Sequence, residues 1–320
     1  MFAPAYRLII KTLAEELSMA TKSNFRYLDS AALTKLERMR FTTHRRVEGS
    51  YSGRHVSKRL GGSGEFVDYR EYAPGDDLRR VDWKAMGRMG RAYLKLFQDE
   101  TDLNCTLLVD SSGSMLQGAK SPRNHQGSKL EWAQFFATAL SHLIVLQRDA
   151  AGLATSVDNS VVYLPPSSSI AQRGVLHETI ENLFPRGKTN LEEILNDIHL
   201  RGKRRGVMIV LSDFLVDSME PVLSNLRKFR MRGWEVVTLH LVHPDEQRLP
   251  AGNAFRFVGL ELDGFVNCMT TQVRKDYEER FQKHLEKTRS CLLGVGAEYH
   301  LIATSTSYLD VLRSFLILRG

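Results

Sequence analysis

From Leu103 onward, two kinds of apolar pattern alternate along the chain. Short uninterrupted runs rich in Val, Ile and Leu predict buried strands at 103–109, 150–156, 160–164, 206–212, 234–242 and 298–304. Longer stretches with apolar residues at helical spacing predict helices at 129–147, 170–183, 190–200, 218–231 and 305–318. The first of these, Lys129 to Gln147, is apolar nearly all round and free of Pro and Gly, the pattern of a buried helix. Strand and helix in alternation imply an α/β fold, a doubly wound and mostly parallel sheet with helices on both faces. The pair at 150–156 and 160–164, joined by Asp158-Asn159, reads as a hairpin that supplies an antiparallel edge strand.

Two regions break this rhythm. Residues 245–297 read as an insertion holding a strand at Arg256–Leu262 and an amphipathic helix at Gln272–Leu293. Before Leu103, weak helical stripes occupy 3–19 (Leu8, Ile9, Leu13, Leu17) and the stretch from Asp29 or Ser30 to Met39. Residues 42–100 are instead rich in Gly, Arg and Tyr, an irregular β-rich segment with a strand at Tyr93–Phe97. The expected organisation is therefore a helical leader (1–41), a small basic β-rich domain (42–100) and an α/β domain (101–320). Trp83, Trp132 and Trp234 are read as core anchors, and His240 and His243 as structural.

The chemistry gathers at strand ends. The run Cys105–Val109 stops at Asp110, and Ser111-Ser112-Gly113-Ser114 follow as a tight hydroxyl-rich loop. A carboxylate and two hydroxyls spaced D-x-S-x-S (Asp110, Ser112, Ser114) offer oxygen donors of low total charge, which suit a hard cation such as Mg²⁺. A second run, Gly206 to Leu211, ends in Ser212-Asp213, and Thr189 precedes the helix expected from residue 190. If both strands are parallel, Asp110 and Asp213 emerge at the same sheet edge, where ligands of open α/β sheets bind.

In this order and on these elements, Asp110, Ser112, Ser114, Thr189 and Asp213 resemble the metal-ion-dependent adhesion site of von Willebrand factor A domains. The resemblance implies Mg²⁺ or Mn²⁺ as cofactor, with the serines bound directly and at least one Asp acting through water. It also implies a protein partner that offers an acidic residue to the ion. A second resemblance lies upstream, in E-F-x-D-x-R-E-Y-x-P-G-D-D-x-R-x-x-D-W-K from Glu65 to Lys84. That segment is similar to the hallmark of a bacterial family of unknown function, domain family fifty-eight, in which it precedes a von Willebrand A-like domain. Membership implies a non-enzymatic adaptor for protein assembly or maturation, with a MoxR-type AAA+ ATPase as partner.

Charge adds one question. The net charge is +7, and the window from Arg38 to Lys95, with fourteen Lys/Arg and seven Asp/Glu, accounts for all of it. Such a block can contact nucleic acid, an anionic membrane or an acidic protein. Its acids interleave with its arginines, whereas a nucleic-acid track shows a purer positive stripe. Arg79, Arg80 and Lys84 are therefore expected to dock a protein, with nucleic-acid binding through 38–95 as the alternative. A metal-dependent phosphatase is a third and more remote reading.

Other classes are excluded on the residues. The sequence around Gly187-Lys188-Thr189 is no P-loop, because Asn182 stands where a Gly is required. Asp110 and Ser114 occupy the glycine positions of a nucleophile elbow around Ser112. Hydrolysis needs a general base, and both candidate bases, Asp110 and Asp213, are committed to the ion. Three scattered cysteines (Cys105, Cys268, Cys291) form no disulfide framework, and no apolar run is long enough to span a bilayer. Cytoplasmic residence is the expectation.

Overall fold

The computed structural model describes residues 26–28, 33, 34, 36, 39, 41, 65–72, 81–98, 103–121, 125–157, 160–202, 205–252, 254–261 and 264–319. The stripe expected at 3–19, most of that before Met39, Asp158-Asn159, and Arg79 and Arg80 lie outside these residues. The chain divides into two compact units, one of residues 43–103 and one of 1–42 with 104–320.

In the smaller unit, β1 (Glu65–Glu71) pairs antiparallel with β2 (Tyr93–Gln98), with a bulge between Phe66 and Asp68. Between them stands a short helix, α1 (Trp83–Met89), where an irregular segment was expected. Its start is set by Asp82, whose carboxylate accepts from the backbone of Lys84 at 3.0 Å and of Ala85 at 3.1 Å, as a good N-cap should. Its end is set by Gly90 at φ 68°, a left-handed stop that costs glycine little. The helix also overturns the reading of Trp83 as a core anchor. Position 83 opens the helix on its outer side and is 62 % exposed, while Ala85 takes the buried position.

The larger unit shows the expected α/β alternation. Its elements run β3 (Asn104–Val109), α2 (Lys129–Leu146), β4 (Ala150–Val157), β5 (Ser160–Ser167), α3 (Ile170–Glu181), α4 (Leu191–Arg201), β6 (Val207–Ser212), α5 (Met219–Met231) and β7 (Glu235–Val242). The short helix α6 (Pro244–Gln247), the hairpin β8 (Phe255–Val258) and β9 (Phe265–Cys268), α7 (Thr270–Gly294), β10 (Glu298–Ala303) and α8 (Tyr308–Arg319) complete it. The strand expected over 256–262 is therefore shorter, since Gly259 N–H bonds to the Gly264 carbonyl and turns the chain.

Six strands form one sheet in the order β10-β7-β6-β3-β4-β5. Every pairing is parallel except β4 with β5 at one edge. This is the doubly wound, mostly parallel layout anticipated from the alternation. The central strands β3, β6 and β7 are buried almost throughout, which explains their continuous rather than alternating apolar sequences. Leu108, Met208, Val210 and Val236 join Ile194, Ile198, Leu226 and Phe229 of α4 and α5 in a single cluster. Each such aliphatic side chain contributes about 1.5–3 kcal/mol by leaving water. The α2 residues Phe136, Ala137 and Leu140 are fully buried, as the all-round apolar sequence requires. Trp132 and Trp234 are buried anchors, with 7 % and 1 % exposure.

Residues described before the smaller unit pack on this domain. Tyr27 is buried edge-on against Phe135 of α2, and its hydroxyl lies 3.1 Å from His125 Nε2. Phe41 stacks on Phe315 of α8.

Candidate functional site

Register alone places the two aspartates. Val109 pairs with Leu211 across β3 and β6, and Asp110 N–H continues the ladder to the Leu211 carbonyl at 3.0 Å. Asp110 and Asp213 thus leave adjacent parallel strands at their carboxyl ends. Both are 2 % exposed, so Asp110 is no solvent-facing side chain. The loop after β3 folds into a 3₁₀ turn, Gly113–Leu116, which turns Ser112 and Ser114 toward each other with hydroxyls 3.0 Å apart.

Backbone bonds tie the loops together. Gly113 N–H donates to the Gly187 carbonyl at 2.8 Å, and Arg186 N–H to the Ser111 carbonyl at 2.9 Å. These hold the loop carrying Thr189 beside the serine loop. A third segment reaches the same place. The β8–β9 turn sets the Leu260 carbonyl only 2.2 Å from where a Cβ on residue 113 would stand, so only glycine fits there.

The hydroxyls and carboxylates form one network. Asp110 accepts from Ser112 N–H at 2.9 Å and from the Ser212 hydroxyl at 2.6 Å. Asp213 accepts from Leu215 N–H at 3.1 Å, with the Ser114 hydroxyl beside it. Thr189 joins through Glu261, to whose carboxylate its hydroxyl donates at 3.1 Å, and Ser114 lies beside the same carboxylate. All five residues singled out in the sequence therefore meet at one sheet edge, four in direct contact and Thr189 by way of Glu261. Just beyond them, Phe214 holds a left-handed backbone at φ 52°, a conformation that costs a bulky residue about 1–2 kcal/mol. Its N–H is met by the Ser212 hydroxyl at 2.9 Å.

The electrostatics of the two aspartates differ. Burial, and then the charge of Asp213, push the Asp110 carboxyl up to about 6, against the hydrogen bonds from Ser212 and Ser112. Burial acts on Asp213 too, but the Lys129 ammonium reverses it and holds that carboxyl below the usual range. Lys129 Nζ lies 2.6 Å from Asp213 Oδ2 and 2.5 Å from Glu246 Oε1, with its side chain fully buried. Although burial opposes a charged amine, the two carboxylates raise its pKa. Glu246 is fixed in turn by the backbone N–H of His243, in the capping box that starts α6.

Sequence reasoning missed Lys129, Glu246 and Glu261. The available signal was a lysine opening a helix otherwise apolar on every side. His240, read as structural, is buried, with its ring nitrogen 2.9 Å from the Tyr299 hydroxyl. Lys84 sits exposed in the first turn of α1.

The donor set is hydroxyl-rich. Among the described residues no three His, Cys, Asp or Glu side chains converge as a metal cluster would require. Neutral hydroxyls beside an Asp110 carboxylate short of positive charge nonetheless fit a hard divalent cation, the kind that takes oxygen donors only. Ser112, Ser114 and Thr189 would hold it, with Asp110 and Asp213 behind them.

A family model described as "Protein of unknown function DUF58" matches residues 68–287. The uncharacterized protein Rv1480 of Mycobacterium tuberculosis is 24 % identical over 292 residues, covering 89 % of this chain and 88 % of that protein. The conserved hypothetical protein BatB from Bacteroides thetaiotaomicron shares 18 % identity, covering 68 % of this chain and 98 % of its own, with a TM-score of 0.43. The VWA domain of SpRpn10 shares 12 %, covering 65 % and 92 %, with a TM-score of 0.36. Among the described residues no helix is long and apolar enough to cross a membrane.

Proposed function

Because this chain belongs to the family described as protein of unknown function DUF58, we propose a role that the family description leaves open, a metal-dependent protein-interaction adaptor. The observation that carries it is the meeting of Asp110, Ser112, Ser114 and Asp213 at the carboxyl edge of β3 and β6. A von Willebrand A-like fold suits a protein-interaction role. Mg²⁺ or Mn²⁺ held there would attract an outside carboxylate, which is how such a crevice selects an Asp or Glu on a partner protein.

The chain's own residues prepare that interaction. Asp110 orients the serine loop through Ser112 N–H, and Ser212 fixes the carboxylate from below. Lys129 takes up the charge of Asp213, so that aspartate anchors Ser114 without adding its full repulsion to the crevice. Binding rather than hydrolysis follows, since both aspartates are engaged and Mg²⁺ acidifies its water weakly. The proposed partner is a MoxR-type AAA+ ATPase in the cytoplasm, reached in part through the basic segment containing Arg79, Arg80 and Lys84.

The test is biolayer interferometry of the purified chain against a purified MoxR-type ATPase from the same bacterium, in Mg²⁺ and in EDTA. Binding that needs Mg²⁺ and is lost in Asp110→Ala supports the proposal. Equal binding in all four conditions overturns the metal dependence, and no binding overturns the partner. Salt-sensitive DNA or RNA binding lost in Arg79→Ala with Arg80→Ala would favour the nucleic-acid alternative.

A further inference from the structure

The β8–β9 hairpin does more than cover a loop. Its turn brings a carboxylate, Glu261, beside the Thr189 and Ser114 hydroxyls of the crevice. Glu261 accepts from the Thr189 hydroxyl at 3.1 Å and lies beside Ser114. Thr189 and Ser114 are two of the three hydroxyls assigned above to the ion.

The approach is built into the backbone. The Leu260 carbonyl occupies the space of the missing Cβ of Gly113, so the turn is seated on the serine loop by main-chain contact. That seating holds a like charge near Asp213. Among the described residues the buried ammonium at this edge, on Lys129, is bonded to Asp213 and Glu246, Lys188 lies 3.9 Å from Asp217, and no Lys or Arg pairs with Glu261 or Asp110. A carboxylate brought beside like charges without a cation of its own is unfavourable by simple Coulomb repulsion. A divalent ion between the hydroxyls would turn that repulsion into ligation.

We propose that Glu261 is a built-in acidic ligand of the crevice, donating its carboxylate to the same divalent ion as Ser114 and Thr189. It takes the seat that an outside carboxylate would need, so a partner must displace the hairpin tip to bind the ion. The inference rests on the metal-crevice reading above and adds a residue that none of the sequence motifs contains.

The experiment uses Mn²⁺ alone as probe. Calorimetric titration gives the affinity, and water-proton relaxation counts the exchanging waters on the bound ion. Wild type, Glu261→Gln and Ser112→Ala are compared, with the thermal midpoint of each taken in EDTA. The expected result is affinity about tenfold weaker in Glu261→Gln, with about one more exchanging water, an unchanged midpoint, and no binding by Ser112→Ala. Mn²⁺ binding by Glu261→Gln that matches wild type in both readouts, while Ser112→Ala abolishes it, overturns the role of Glu261 and leaves the crevice standing. No Mn²⁺ binding by wild type overturns the crevice and this inference with it. Should Glu261→Gln lower the midpoint in EDTA, Glu261→Asp carries the test. It keeps the charge one methylene short, and wild-type affinity and water number there would also sink the idea.

Discussion

Asp110 and Asp213 are the same residue, on neighbouring parallel strands, at the same depth, yet one corner of the sheet edge is neutralised and the other is not. At the Asp213 corner a buried lysine supplies a full positive charge. At the Asp110 corner only hydrogen-bond donors face the carboxylate, from Ser112 and Ser212. Burial raises the cost of both anions, and what separates them is which partner the fold delivers. An anion satisfied by an ammonium is a structural anchor. One satisfied by hydroxyls and amides keeps an appetite for a cation, and the proposed metal site lies at that corner.

The comparison breaks most severely at Lys129. Lys129→Met should strand two carboxylates, Asp213 and Glu246, and destabilise the fold by about 3–5 kcal/mol in urea unfolding. Adding Asp213→Asn to that variant should recover part of the loss, and no recovery would mean the pair is not the cause.

At the other corner, Gly113→Ala should cost about 1–3 kcal/mol, because the new methyl meets the Leu260 carbonyl. Its Mn²⁺ affinity should fall as well, while Gly174→Ala, which meets nothing, serves as control.

A pH scan sharpens the contrast by removing an unrelated contribution. His142 on α2 and His177 on α3 stack with rings 5.8 Å apart, and burial pushes them down to about 4 and about 3. The unfolded chain takes up protons as pH falls through about 6.5, and the folded chain does not. Stability present above that pH is therefore lost toward acid, by about 1–2 kcal/mol per histidine between pH 7 and 5. His177→Phe should flatten this limb in chemical unfolding at each pH, whereas Asp110→Asn, which removes a carboxyl whose raised pKa offsets the limb, should steepen it.

The smallest expected effect is on Asp110 itself. Asp110→Asn keeps an acceptor for Ser112 N–H and removes the repulsion from Asp213, so stability should change by no more than about 1 kcal/mol. Mn²⁺ binding by the same protein should nonetheless disappear from calorimetry.

The sheet was legible because continuous apolar runs have few other uses. The ends of β3, β6 and β7 lie within a residue of where the sequence put them. The order Asp110, Ser112, Ser114, Thr189, Asp213 was legible too, since a strand that stops at Asp marks its own edge. Lys129 and Glu246 were not, because they meet across 117 positions of sequence and no local pattern announces the pair. Glu261 was hidden for a related reason, as its meaning comes from a turn whose landing place depends on a glycine far upstream. Trp83 misled because a bulky aromatic says nothing of which way a seven-residue helix will face.

The hairpin β8–β9 pairs with itself and with no strand of the main sheet. In a native-state hydrogen-exchange picture it is thus a separate cooperative unit, held by few buried residues, since Val258, Phe265 and Val266 are exposed. Its amides belong at the low end of the protection range, while β3, β6 and β7 define the global limit. Release of the tip then draws on a local opening, and the six-stranded sheet beneath stays closed while the crevice changes its occupant.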